Sequence, residues 1–66
     1  MTLGEKIKEI RLKSNLTIQD LSKKSGLSVV SICHYENGKT KPTLTNLHKL
    51  SVALECDFDD LYKLFN

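Results

Sequence analysis

Apolar residues recur along this chain at three- and four-residue intervals, and polar residues suited to starting or stopping a helix punctuate them. Leu3, Ile7, Ile10 and Leu12 fall on one face of a first predicted helix, with Lys6, Lys8, Glu9 and Lys13 on the other. Thr2-Leu3-Gly4-Glu5 reads as a capping box, in which a hydroxyl accepts from an orphan N–H and a carboxylate accepts in return. Ser14-Asn15 ends that helix. Thr17-Ile18-Gln19-Asp20 is a second box, opening a short helix with Leu21 inward and Gly26 as its left-handed stop. Ser28 caps a third helix from Val29 to Glu36, with Ile32 and Tyr35 facing in and Asn37-Gly38 closing it. After a polar loop, Pro42-Thr43 starts a fourth helix, whose stripe is Leu44, Leu47, Leu50, Ala53 and Leu54. Asp57 is the expected cap of a fifth, with Asp60 at its third position. Phe58, Leu61 and Phe65 are expected to face inward there, flanked by Tyr62. No segment sustains a period of two, so strands are not expected. The pattern predicts an all-α fold, a compact bundle of five short helices, with residues 1–66 forming a single domain. Isolated helices shorter than about 12–15 residues are marginal, so packing must hold them together.

Composition narrows the function classes. With 39% hydrophobic and 27% charged residues the chain has a globular rather than a disordered composition. Its apolar runs are pairs and triplets such as Val52-Ala53-Leu54, far from the roughly 20 residues that span a bilayer. The first residues lack the apolar centre of a signal peptide. No membrane association is therefore expected. Two cysteines are too few for a disulfide framework and point to free thiols in a reducing cytosol, hence a cytoplasmic protein. The candidate metal ligands are Cys33, His34, His48 and Cys56; the first two are adjacent, which suits no usual zinc pairing. No metal and no cofactor is expected. Neither histidine has a nucleophile at useful spacing and no glycine-rich phosphate loop is present, so an enzyme is not expected.

The informative stretch runs from Ile18 to Glu36. Two helices are separated by Gly26-Leu27-Ser28: a glycine for the sharp turn, a leucine to fill the gap and a serine to cap the second helix. This is how a DNA-binding helix-turn-helix is built, with its second helix offered to the major groove. With Ile32 and Tyr35 turned in, Val29, Val30, Cys33 and His34 are left outward, and the helix carries no charge before Glu36. An exposed, uncharged, partly apolar strip usually marks a contact surface. Charge is distributed accordingly. Residues 1–25 carry six cations against three anions, a net +3. Residues 26–42 carry two against one, a net +1, and residues 43–66 two against four, a net −2. The formal +2 of the whole chain conceals this gradient.

Taken together, Leu16-Thr17-Ile18-Gln19-Asp20-Leu21-Ser22, Ser25-Gly26-Leu27-Ser28, Ile32, and Tyr35-Glu36-Asn37-Gly38-Lys39-Thr40-Lys41-Pro42 resemble the lambda-repressor-like family of the Cro/CI or XRE type. The resemblance extends upstream to Gly4-Glu5-Lys6-Ile7 and Ile10-Arg11, and downstream through Thr43-Leu44, Leu47, Leu50, Ala53-Leu54 and Asp60-Leu61. It implies a five-helix, sequence-specific DNA-binding transcriptional regulator. The expected form is a bacterial or phage repressor that binds a palindromic operator as a homodimer. There are departures: Ile18 stands where the family commonly has glutamine, Ser22 where it often has alanine, and Ser25 where it often has an apolar residue. The two serines suggest looser packing of the second helix. The third helix also lacks the Gln and Arg residues that many members use to read bases.

The resemblance assigns base reading to Val29, Val30, Cys33 and His34. Valine can pack on a thymine methyl group, and histidine can hydrogen-bond to a base edge. Backbone anchoring falls to Thr17, Gln19, Ser28 and Ser31 at two helix starts, and to Asn37, Lys39, Thr40 and Lys41 after the third helix. Arg11 and Glu36 are implied to pair as a structural ion bridge. Tyr62, Leu64 and Phe65 are the candidates for a dimer face. Double-stranded operator DNA is the expected partner, and no small-molecule effector site is evident. Two alternatives remain: an antitoxin or controller-type operator binder with a protein partner, and an interaction module that has lost DNA binding.

Overall fold

The computed structural model describes residues 1–65. They form α1 (Leu3–Lys13), α2 (Ile18–Ser25), α3 (Val29–Glu36), α4 (Leu44–Ala53) and α5 (Phe58–Tyr62), with no strand among the described residues. Most helix starts are set locally. The Thr2 hydroxyl accepts from the Glu5 N–H at 3.2 Å, and the Glu5 carboxylate accepts from the Thr2 N–H at 2.8 Å. Thr17 and Asp20 repeat the arrangement, with both bonds at 3.0 Å. Ser28 and Thr43 cap α3 and α4 by accepting from Ser31 and Asn46 N–H groups, each at 3.1 Å. The start of α5 differs from the sequence expectation. Asp57 holds the cap position, but its side chain makes no capping bond. The Asp60 N–H donates to the Asp57 carbonyl at 3.1 Å, and the Asp60 carboxylate lies 3.7 Å from Lys63. A box of two aspartates would bring like charges together beside Asp59, and the turn closes through the backbone instead.

The helix ends α1, α3 and α4 share one construction. In each, the residue after the cap is left-handed: Asn15 (φ 59°), Gly38 (φ 75°) and Glu55 (φ 54°). The next N–H then reaches back across the last turn, Leu16 to Arg11, Lys39 to His34 and Cys56 to Ser51, at 3.0, 2.9 and 3.1 Å. This Schellman closure satisfies carbonyls that a helix end leaves orphaned.

Every helix contributes a wholly enclosed aliphatic side chain: Ile7, Leu21, Ile32, the α4 pair Leu47 and Leu50, and Leu61. Leu3, Tyr35, Ala53 and Leu54 complete the interior. The apolar patterning overreached at four places. Leu12 is 55% exposed, because five residues past Ile7 is about 140° around a helix. Leu44 opens α4 at the edge of the bundle and is 51% exposed. Phe58 and Phe65 are half-buried at the margin of the core rather than inside it. They stack on either side of Tyr62, with ring centroids 5.5 and 5.9 Å from it.

Gly4 explains how α1 meets α3. A Cβ at this position would collide with the Tyr35 carbonyl oxygen and come within 2.7 Å of that of Glu36. The first turn of α1 therefore rests directly on the last turn of α3, backbone to backbone.

Candidate nucleic-acid interface

The α2–turn–α3 unit is held by more than its apolar plug. Gly26 takes φ 76°, and Leu27 packs half-buried against the core. The Ser22 hydroxyl donates to the Leu27 carbonyl at 2.6 Å, and the Ser25 hydroxyl accepts from the Leu27 N–H at 3.2 Å. Both serines thus grip the same residue of the turn. The looser packing expected from these substitutions is not what the fold contains: Ser25 is buried, and hydrogen bonds stand where apolar contacts would otherwise be. Ile18 is also accounted for. It packs half-buried against the core, while its neighbour Gln19 is exposed.

The other end of α3 is fixed by Arg11. Its Nε and Nη2 donate to the two carboxylate oxygens of Glu36 at 2.7 and 3.0 Å, and Nη1 donates to the Leu16 carbonyl at 2.9 Å. The two side chains are only 7% and 4% exposed. Hydrogen bonding to Glu36 raises the Arg11 pKa further above its ordinary value, outweighing the opposing effect of burial. The bond to Leu16 carried no sequence signal, since it arises only when the α1–α2 linker folds back over α1.

Between these anchors α3 turns one face outward. Val30 is 63% exposed, Val29 is exposed, and Ser31, Cys33 and His34 are half-buried. No charged side chain competes along the strip, because the carboxylate of Glu36 is held by Arg11 on the inner side. Thr17, Gln19, Ser28, Asn37, Lys39, Thr40 and Lys41 are all exposed. Several of the expected anchors have partners inside the chain. The Thr17 hydroxyl and N–H are both engaged by Asp20. The Ser28 hydroxyl donates to that of Ser31 at 2.9 Å. The Lys41 ammonium lies 5.4 Å from the centroid of the Phe65 ring. The first turn of α3 holds no acidic residue, whereas that of α2 holds Asp20, so the amides of α3 are the more favourable to an anion.

The candidates for a dimer face divide. Tyr62 is 49% exposed, while Leu64 and Phe65 are half-buried against the core. Val52, not singled out by the sequence reading, is an exposed apolar residue on the outer face of α4. Among the described residues no cluster of three or more His, Cys, Asp or Glu side chains could hold a metal ion. Cys33 and Cys56 are free thiols, and burial pushes that of Cys56 up. No helix of the described residues is long and apolar enough to cross a membrane.

A family model described as helix-turn-helix matches residues 7–61. The chain belongs to this helix-turn-helix family. It is 39% identical over 61 residues to the repressor protein C2 of Salmonella phage P22, a match that covers 92% of the chain. The chain spans 28%, 42% and 54% of three of the phage and bacterial regulators it matches. Helix-turn-helix structures superimpose closely on it. The P22 c2 repressor in complex with a synthetic operator gives a TM-score of 0.89 at 38% identity, covering 97% of each chain. The restriction-modification controller protein C.AhdI from Aeromonas hydrophila gives 0.87 at 29% identity, covering 89% of each.

Proposed function

We propose that residues 1–66 form the DNA-binding domain of a cytoplasmic bacterial or phage transcriptional repressor, acting as a homodimer on a palindromic operator with α3 in the major groove. The observation that carries this reading is the outer face of α3: an uncharged strip of exposed Val29 and Val30 with half-buried Ser31, Cys33 and His34, followed by a loop bearing exposed Lys39 and Lys41. Such a strip is suited to base edges, and such a loop to phosphates. The likeness to an operator-bound repressor supports the same docking. Val29 and Val30 pack on thymine methyl groups, His34 hydrogen-bonds to a base edge, and Cys33 is a small contact between them. Ser28, Ser31 and the α3 amides meet one phosphate run, with Thr17 and Gln19 of α2 beside it. Asn37, Lys39, Thr40 and Lys41 meet the flanking run. A second copy docks through the α5 side, where Tyr62 is exposed. The domain carries out no catalytic step.

The test is selection of bound sequences from random duplex DNA. An enriched inverted repeat with half-sites about one helical turn apart is expected, with thymines facing the valines. Replacing those thymines with uracil should lower affinity. No enrichment over random duplex would transfer the reading to an interaction module. The likeness to C.AhdI favours one narrower second reading, a controller-type operator binder. An enriched site lying beside a restriction-modification gene pair would select it.

A further inference from the structure

Lys39 and Lys41 belong to one loop, yet their surroundings differ. Both are exposed. Lys39 has no ion-pair or ring partner among the described residues, whereas the Lys41 ammonium sits 5.4 Å from the Phe65 centroid. The ring beneath it is itself held. Phe65 stacks on Tyr62 at 5.9 Å and 19°, and Tyr62 on Phe58 at 5.5 Å and 20°. Its N–H donates to the Tyr62 carbonyl at 2.9 Å, and its side chain packs half-buried on the core. A flexible lysine is thus parked over an aromatic platform that is stacked back along α5.

We propose that Phe65 is a positioning residue for DNA binding, holding the Lys41 ammonium at the end of the α3–α4 loop so that its charge is in place before a phosphate arrives; this rests on the DNA-binding reading above. An ammonium has three donors. Resting on a ring face leaves outward donors free, so the contact does not compete with a phosphate oxygen. A long lysine side chain loses much of its rotamer freedom when a phosphate fixes it. Phe65 imposes part of that loss in the free protein, and binding through Lys41 is correspondingly tighter.

The experiment measures affinity for the selected operator and for a non-operator duplex across a salt series, on the wild type, Phe65→Leu, Phe65→Tyr, Lys41→Gln and Lys41→Gln with Phe65→Leu. Leucine keeps the apolar packing and removes the π face; tyrosine keeps the face. Phe65→Leu is expected to weaken both duplexes by about two- to five-fold, the range of an exposed cation–π contact. Its salt slope should stay at the wild-type value, because the phosphate contact is retained. Phe65→Tyr should restore wild-type affinity. Lys41→Gln should flatten the slope by about 0.9, and adding Phe65→Leu to it should change nothing further. In the free protein, the Lys41 ε-methylene protons should show an upfield ring-current shift that Phe65→Leu abolishes and Phe65→Tyr keeps.

An equal loss from Phe65→Leu with and without Lys41 would mean that the ring acts through the fold, and overturns the proposal. So does tighter binding by Phe65→Leu, which would make the ring a trap for the charge. A wild type that binds operator while Phe65→Leu matches it overturns this inference alone. A wild type that binds no duplex overturns the DNA-binding reading and this inference with it.

Discussion

Replacing Glu36 by glutamine removes one charge from an enclosed ion pair and changes almost nothing in shape. In the wild type, Arg11 makes two parallel bonds to the carboxylate, at 2.7 and 3.0 Å, and a third to the Leu16 carbonyl. With side-chain exposures of 7% and 4%, neither partner has appreciable water to fall back on. Glutamine can accept only one of the two bonds and leaves the guanidinium uncompensated. Breaking a buried pair this way costs about 3–5 kcal/mol. At about 0.05–0.15 kcal/mol per residue, a 66-residue domain has only about 3–10 kcal/mol in total. Since 1 kcal/mol moves the midpoint of so small a domain by about 4–8 °C, Glu36→Gln should lower Tm by about 12 °C or more. The double replacement Arg11→Met with Glu36→Leu should sit closer to wild type than Glu36→Gln. Apolar pairs of similar volume often replace buried ion pairs at little cost, leaving mainly the Leu16 carbonyl without its donor. Circular dichroism melts of the three proteins decide the matter. A Glu36→Gln midpoint within about 2 °C of wild type would refute the reasoning, because that shift corresponds to less than about 0.5 kcal/mol.

The geometry sets four further outcomes. Gly4→Ala should cost about 1–3 kcal/mol in denaturant titrations, since the new methyl meets α3 backbone that cannot rotate aside; an unchanged midpoint would show that α1 slides freely. Ser25→Ala should cost about 1 kcal/mol by removing the acceptor of the Leu27 N–H, again read by denaturant titration, and a neutral result would mean the apolar plug alone holds the turn. The carboxyls of Glu5 and Asp20 are held below their ordinary values, chiefly by the backbone N–H groups of Thr2 and Thr17. Their contribution to stability is therefore complete above the ordinary carboxylate range near about pH 4 and is lost as pH falls through the lower folded values. The wild type and Glu5→Gln with Asp20→Asn should accordingly converge in strong acid, whereas curves parallel from neutral to strong acid would count against this. Finally, Lys39→Gln with Lys41→Gln should weaken all duplexes alike and flatten the log–log salt slope by up to about 1.8, two contacts at about 0.9 each; lost sequence preference at an unchanged slope would reverse the assignment.

Helix placement was legible in the sequence because it is decided within a few residues. Thr2 with Glu5, Thr17 with Asp20, Ser28, Thr43 and Gly26 act on backbone three or four positions away, so their spacing is itself the information. Asp57 has the same spacing and holds the cap position of α5, but the side-chain bonds of a box do not form there, because whether two aspartates share a cap depends on the charge around them. Apolar periodicity identified the interior but not its limits: Leu12 and Leu44 match the spacing and lie outside. In the candidate interface, exposure could be anticipated for Val29, Val30 and the loop lysines. Their commitments could not. The Phe65 ring under Lys41, the Leu16 carbonyl on Arg11 and the α3 carbonyls against Gly4 exist only once distant segments meet. Ser22 and Ser25 were visible as departures, but their shared target, the Leu27 peptide, lies in the turn that the fold itself creates.

The distribution of Ile7, Leu21, Ile32, Leu47, Leu50 and Leu61, with no helix left out, has a consequence for how little of this protein can function. An excised α2–α3 peptide would hold the outer face of α3 and the two serine clasps, yet lose four of the six side chains that enclose one another. Even the five-residue α5 is no appendage, since removing Leu61 opens the interior to water on that side. The domain should therefore melt as one cooperative unit. The smallest fragment able to present α3 is the smallest set of helices that closes the core, which here means all five.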